Sequence, residues 1–207
     1  MATVKVELVA LGKRFGGRWL FSDINAGAGP GECLTIAGAN GSGKSTLLKM
    51  VAGVIRPSAG KVIVERGGSI LDSEKIISVM GMVSPEVVFY HPLTASENMA
   101  FFLAAQGYRP PADVIDRSLW EVGLARHDGV PVGVYSTGMK QRLKFAVLKA
   151  LDPKLILLDE PSSNLDREGK EMAASFITEE LKAGKTIFLA SNEPWETNYG
   201  TQCITLS

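Results

Sequence analysis

The stretch GANGSGKST at 38–46 constrains this chain more than any other. It fits the spacing G-x-x-x-x-G-K-[S/T] through Gly38, Gly43, Lys44 and Ser45, and it lies between the apolar run CLTIAG and the segment TLLKMVAGV. The first flank reads as a buried strand. The second has apolar residues at helical spacing and Gly53 as a stop, so it reads as a helix. Strand, glycine-rich loop and helix in that order make a cradle for a polyphosphate. Glycines let successive backbone N–H groups turn inward, and the helix N-terminus adds partial positive charge. Ala39, Asn40, Gly41, Ser42 and Thr46 complete the candidate nucleotide-binding loop. Lys44 is expected to reach the β- and γ-phosphates and the Ser45 hydroxyl to ligate Mg²⁺. A glycine-rich turn that binds nothing is the plainer alternative, and the full pattern in this context argues against it. Alone, the loop specifies only a nucleoside triphosphate.

The rest of the chain narrows the class. At 207 residues it holds one domain, with room for a small inserted subdomain. Lys plus Arg and Asp plus Glu each number 22, so charge gives no reason to expect a nucleic-acid partner. Apolar runs such as LILL at 155–158 fall far below the roughly 20 residues that cross a bilayer. The N-terminal MATVKVELVALGK alternates like a strand and lacks the parts of a signal peptide, which points to a cytoplasmic chain. Cys33 and Cys203 sit apart inside strand-like segments and read as buried thiols.

Strands and turns dominate the first part: VKVELVAL, CLTIAG, KVIVE and VMGMV. From Thr94 the texture changes. TASE forms a capping box, with Glu97 three residues after Thr94, and opens a helix to about Gly107. PADVIDRSLWEVG and MKQRLKFAVLKAL are two further helices, so 86–150 reads as a mostly helical insert. LILLD, a helix over about 166–183, TIFLAS and QCITLS complete an α/β chain whose sheet is largely parallel.

LILLDEP at 155–161 ends an apolar strand on two acids. The C-terminal ends of parallel strands face the ligand crevice. There Asp159 is suited to hold Mg²⁺ through water, and Glu160 to orient or deprotonate an attacking water. A solvated turn is the alternative reading for adjacent acids. YSTGMKQR at 135–142 opens a helix with Ser136, Thr137 and Gly138, a polar start that suits an anion and equally suits a plain cap.

Taken in order, the phosphate loop, the helical insert, YSTGM, LILLDEP, SSNLD at 162–166 and the final strand resemble the ATP-binding-cassette (ABC) ATPases over essentially the whole chain. The family's signature usually reads LSGGQ. The resemblance implies a phosphate-loop NTPase fold with an N-terminal antiparallel β portion, a RecA-like core over 1–85 and 151–207, and a helical subdomain over 86–150. It also implies ATP and Mg²⁺ as cofactors and head-to-tail pairing of two copies, so that Ser136, Thr137, Gly138 and Met139 act in trans on the γ-phosphate. Asp166 ends the family's dimer-contact loop. Phe15, in KRF, matches the aromatic that stacks on adenine, and a strand-end aromatic is the other reading.

Two positions depart from the family pattern. The glutamine that senses the γ-phosphate falls on Pro85, which has no side-chain donor or acceptor, with Glu86 beside it. The switch segment, usually ending in Thr-His, reads TIFLASN and puts Asn192 on the histidine, while His91 and His127 lie in the helical insert. An asparagine amide positions groups and cannot supply positive charge. It also suits a strand-to-loop turn. The resemblance thus implies an ATPase subunit of an exporter-type ABC transporter, catalysing through Glu160, Lys44 and Asn192, slow or partner-dependent because of the two replacements. Its partners are a second copy and a separate membrane-spanning permease, at the cytoplasmic face of a membrane. Phe89, Tyr90, Phe101 and Phe102 are candidates to line the permease groove, or are core. The alternatives are a soluble ABC ATPase that drives assembly of a protein complex, and a nucleotide-gated module that hydrolyses little.

Overall fold

The computed structural model describes residues 3–207. In chain order the elements are β1 (Val4–Phe15), β2 (Arg18–Ala28), β3 (Cys33–Gly38), α1 (Lys44–Val51), β4 (Ala59–Arg66), β5 (Ser69–Ile70), α2 (Ser73–Ile77), β6 (Met80–Val83), α3 (Ala95–Ala105), α4 (Ala112–Glu121), α5 (Thr137–Leu151), β7 (Leu155–Asp159), α6 (Arg167–Lys182), β8 (Thr186–Ala190), α7 (Pro194–Thr197) and β9 (Gln202–Leu206). Short 3-10 turns at Ala125–His127 and Val132–Val134 precede α5. Two sheets form. One is four-stranded, in the order β2-β1-β4-β5, with antiparallel pairing; the other is five-stranded, in the order β6-β7-β8-β3-β9. In the second sheet β3 pairs in parallel with β8 and β9, and β7 in parallel with β8.

Burial explains the assignment. LILLD and TIFLA are buried at every position, as central strands of a parallel sheet covered on both faces must be. By contrast β1 begins with Val4, Val6 and Leu8 inward and Lys5 outward, the period-two pattern of a sheet with one wet face. Leu47 and Leu48 of α1 are fully buried, and each contributes roughly 1.5–3 kcal/mol by leaving water. Register brings Ile36 of β3 and Asp159 of β7 level with Ala190 of β8, so the loops leaving these three adjacent strands emerge at one edge of the sheet. With β9 on the far side of β3, the strand order reverses there, the topological position at which such sheets bind ligands.

The chain divides into two compact units: residues up to Gly81 with Pro153–Glu160 and Thr178–Ser207, and Met82–Asp152 with Pro161–Ile177. In the second, α3, α4 and α5 pack on one another. The capping box on α3 is present: Glu97 N donates to Thr94 Oγ1, and Thr94 N to Glu97 Oε2 at 2.8 Å. Fully buried Asn98 fixes the approach to that helix, accepting from Tyr90 N at 2.8 Å and donating to Tyr90 O at 3.0 Å.

The thiols differ from the expectation that both are buried. Cys33 is, and burial pushes its thiol up to about 12. Cys203 is exposed, because β9 is the edge strand of its sheet and only Leu206 on it is buried. Among the described residues no helix is long and apolar enough to cross a membrane.

Candidate functional site

The phosphate loop leaves β3 at Gly38, whose φ of 146° lies where side chains are disfavoured. A Cβ there would lie 2.4 Å from Leu206 O. Gly43, at φ 104°, caps α1, and a Cβ on it would meet Leu20 Cδ2 at 2.7 Å and Phe21 Cδ1 at 2.9 Å. Both glycines are therefore required by geometry. No side chain caps α1 and no acid stands in its first turn, which leaves the helix start open to an anion.

Lys44 is only 6% exposed, and its Nζ donates to Gly38 O at 2.6 Å and Ala39 O at 3.4 Å. It also lies 3.5 Å from Glu160 Oε1. A cavity of about 330 Å³ is lined by Asn40, Gly41, Gly43, Lys44, Ser45, Thr46 and Glu160, together with Leu20. Leu20 was not among the residues singled out from the sequence. Its pairing with Gly43 across the hairpin of β1 and β2 is a long-range packing contact with no local signal.

Asp159 is 2% exposed at the end of β7. Glu160 follows in the left-handed region, φ 48°, its N–H donating to Ala190 O at 2.9 Å. That turn moves the Glu160 carboxylate out of the strand and into the cavity, where it meets Lys44. Beyond β8, buried Ser191 donates its N–H to Ile36 O and accepts from Glu193 N at 2.9 Å, an ordinary turn that Pro194 continues into α7. Asn192 is exposed, and its Nδ2 donates to Asn40 Oδ1 at 3.3 Å. The strand therefore delivers Asn192 to the phosphate loop.

Phe15 does not line this cavity. It is 54% exposed at the end of β1, with Lys13 Nζ 4.9 Å from its ring centroid. The hydroxyl of Ser45 and the carboxylate of Asp159 are hard oxygen donors of the kind that would suit Mg²⁺. Among the described residues no group of three or more His, Cys, Asp or Glu is placed to hold a metal.

The YSTGM residues belong to the second unit. Ser136 caps α5, its Oγ accepting from Met139 N at 3.1 Å, while Thr137 stands exposed at the first helical position and Gly138 follows. Asp166 is engaged within its own unit, where its Oδ1 accepts from Gly169 N at 2.8 Å and from Arg142 Nη2 at 2.7 Å. The Gly169 amide and then the Arg142 guanidinium hold the Asp166 carboxyl below the usual carboxylate value. Gln141 Nε2 donates to Pro161 O at 2.7 Å, so consecutive residues of α5 bind both ends of the segment 161–166. Pro85 and Glu86 are exposed, and Glu86 N donates to Ser84 Oγ at 3.3 Å. Of the four aromatics considered for a groove, Phe89 is buried, Phe102 half-buried, and Tyr90 and Phe101 about half exposed.

Fold and loop together define a phosphate-loop nucleotide-binding protein. The family model described as ABC transporter matches residues 21–163, which is more than half of the chain. The chain belongs to the ABC transporter family, as an ATP-binding ATPase of it. Among its relatives, the cytochrome c biogenesis ATP-binding export protein CcmA 1 of Cupriavidus metallidurans is 32% identical over 198 residues, 93% of each chain. The uncharacterized ABC transporter ATP-binding protein YcbN of Bacillus subtilis is 31% identical over 92% of this chain, which spans 62% of that relative's length. Among solved structures, a putative ABC transporter ATP-binding protein from Pyrococcus furiosus superposes with a TM-score of 0.83 at 21% identity, over 98% of this chain and 97% of that one.

Proposed function

We propose that the chain is the ATP-hydrolysing subunit of an exporter, and that two copies pair head to tail on Mg-ATP. Each ATP then lies between the phosphate loop of one copy and Ser136, Thr137, Gly138 and Met139 of the other. Pairing drives a conformational change in a separate membrane-spanning partner, with this chain on the cytoplasmic face. A relative described as an export protein supports the direction. The observation that carries the reading is the meeting of Lys44 Nζ and Glu160 Oε1 at 3.5 Å inside one cavity, beside Ser45.

The geometry suggests an order of events. The β- and γ-phosphates compete with Gly38 O and Ala39 O for the Lys44 ammonium, since a charge-assisted bond to phosphate is stronger than one to a neutral carbonyl. They compete with Glu160 through their larger charge, the contact at 3.5 Å being a long one. Glu160, relieved of its cation, accepts a hydrogen bond from water and orients it toward the γ-phosphorus. Mg²⁺, held by Ser45 and by Asp159 through water, would neutralise charge on the phosphates. Asn192, beside Asn40, donates its amide to the γ-phosphate, and Phe15 stacks on adenine. Asp166 orders the dimer-contact loop from within its own chain. Pro85 and Asn192, in place of glutamine and histidine, leave the isolated chain slow or dependent on its partner.

Phosphate release measured over a range of protein concentrations tests this. Turnover per chain should rise with concentration. Glu160→Gln should lower it by at least about 100-fold with ATP still bound, as loss of a general base does, and Lys44→Ala should lose ATP affinity. Equal turnover in Glu160→Gln would remove Glu160 from the chemistry and leave a nucleotide-gated module.

A further inference from the structure

The hairpin of β1 and β2 ends on an aromatic ring with a fixed cation against it. Phe15 pairs with Arg18 across a turn of Gly16 and Gly17, whose φ angles of 53° and 83° are both positive, as a type I′ turn requires. A Cβ on either glycine would meet nothing within 4 Å, so the ring, 54% exposed, stands beside open space. Lys13, two residues earlier on the same side of the strand, holds its Nζ 4.9 Å from the ring centroid. That ammonium is tethered, donating to Arg56 O at 2.8 Å. The strand around it is tied to the same loop after α1: Ser58 N donates to Gly12 O at 2.8 Å and Arg14 N to Ser58 Oγ at 3.1 Å. Across the hairpin Lys13 is paired with Phe21, which lies against Gly43 of the phosphate loop.

Trp19 supplies the contrast. Its ring, 51% exposed, lies against Gly12 and has the Arg14 guanidinium 5.8 Å from its centroid. Among the described residues that guanidinium makes no hydrogen bond, so of the two rings only Phe15 has a cation held in place. The difference has a physical consequence. An exposed phenyl ring exchanges among rotamers, and a ring that must stack on a ligand binds more weakly the less time it spends in the stacking one. A cation over one face favours a single rotamer. A tethered cation does so with its own side-chain entropy already lost on folding. With one face taken by Lys13, the other is open to a base.

We propose that Lys13 is a positioning residue for base recognition: its tethered ammonium holds the Phe15 ring in the rotamer that stacks on the nucleotide base, with the base on the face away from the ammonium. The proposal rests on the reading of Phe15 as the residue that stacks on adenine. It adds what makes an exposed ring at a hairpin end competent to do so, and it leaves the equally exposed Trp19 outside base recognition.

The probes are ATP and inorganic tripolyphosphate, titrated with Mg²⁺ into the full chain by calorimetry. The ratio of the tripolyphosphate Kd to the ATP Kd isolates what the nucleoside contributes, because a change of charge near the phosphates acts on both probes. Phe15→Ala should lower the ratio at least about fivefold, as loss of one base–aromatic stack does. Lys13→Met should lower it about two- to fivefold, as loss of an exposed cation–π contact does. Lys13→Arg should keep it and Trp19→Ala should leave it unchanged. Lys13→Gln, which can still donate to Arg56 O without carrying charge, should follow Lys13→Met. In a Phe15→Ala background Lys13→Met should have no further effect, since it acts through the ring. A wild-type ratio in Lys13→Met or Lys13→Gln, an equal loss with and without Phe15, or a loss in Trp19→Ala as large as in Phe15→Ala would overturn the proposal while leaving Phe15 at the base. A wild-type ratio in Phe15→Ala would overturn the stacking reading and the proposal together. No outcome depends on turnover, so absence of ATP hydrolysis would count against the ATPase reading alone.

Discussion

Glu160 holds a left-handed backbone conformation, φ 48°, that a side chain occupies at a cost of about 1 kcal/mol. The cost is borne because the turn aims the carboxylate at Lys44. A strain and an activity stored at one residue should separate by mutation. Glu160→Gly and Glu160→Gln both delete the charge, yet the glycine variant should be more stable than the glutamine variant by about 0.5–1 kcal/mol in urea unfolding, with both inactive. Equal stabilities would mean the backbone there is unstrained. Asn192 donates one of its two amide hydrogens to Asn40 on the phosphate loop, and the proposed reading has the other facing the γ-phosphate. Asn192→His should raise turnover about tenfold, the effect of adding one charged donor to an oxyanion. An unchanged rate would place Asn192 outside the chemistry. The delivery of Asn192 was legible in the sequence, because an apolar strand ending on Ser-Asn must surface there. Phe15 was not so legible, because exposure on a hairpin leaves its ligand contacts open.

At the scale of elements, α5 does more than present a capped start. Gln141 and Arg142 fasten it to Pro161 and Asp166, which lie 20 and 24 residues further along the chain. No local pattern announces such bonds, so both residues read from sequence only as part of YSTGMKQR. The capping box of α3 was legible because it is local, as were the buried runs of β7 and β8. The short α2 was not, since five residues carry no helical period. Asp166 ties these bonds to pH. Its carboxyl is held below the usual value, so the folded state binds the proton less tightly than the unfolded state. The stabilisation is complete above the ordinary carboxylate value and is lost as pH falls through the lower folded one. Unfolding midpoints measured from pH 7 down to pH 3 should converge for wild type and Asp166→Asn at the acid end and part above it. Parallel profiles would mean that the ion pair and the cap are energetically silent.

At the scale of the whole molecule, the phosphate loop and the YSTGM segment belong to different compact units of the same chain. A head-to-tail dimer with two-fold symmetry builds each ATP site from the phosphate loop of one copy and the YSTGM segment of the other. Two defective variants distinguish this arrangement from a site completed within one chain. Lys44→Ala disables the phosphate loop. Thr137→Asp sets a carboxylate at an exposed first position of α5, where a helix tolerates negative charge but a γ-phosphate would not. Each variant alone should be inactive. In an equimolar mixture that pairs at random, half of the dimers combine the two defects, and in those both faults fall on one site while the other is assembled entirely from intact parts. The mixture should therefore recover about one quarter of wild-type turnover if the sites fire independently. The recovered rate should fall on dilution as the pairs dissociate. A mixture as inactive as its components would mean that each chain completes its own site, or that one intact site cannot fire without the second. Adding Thr137→Asp in excess to a fixed amount of wild type separates these, since obligate coupling predicts inhibition of the wild-type turnover and chain-autonomous sites predict none.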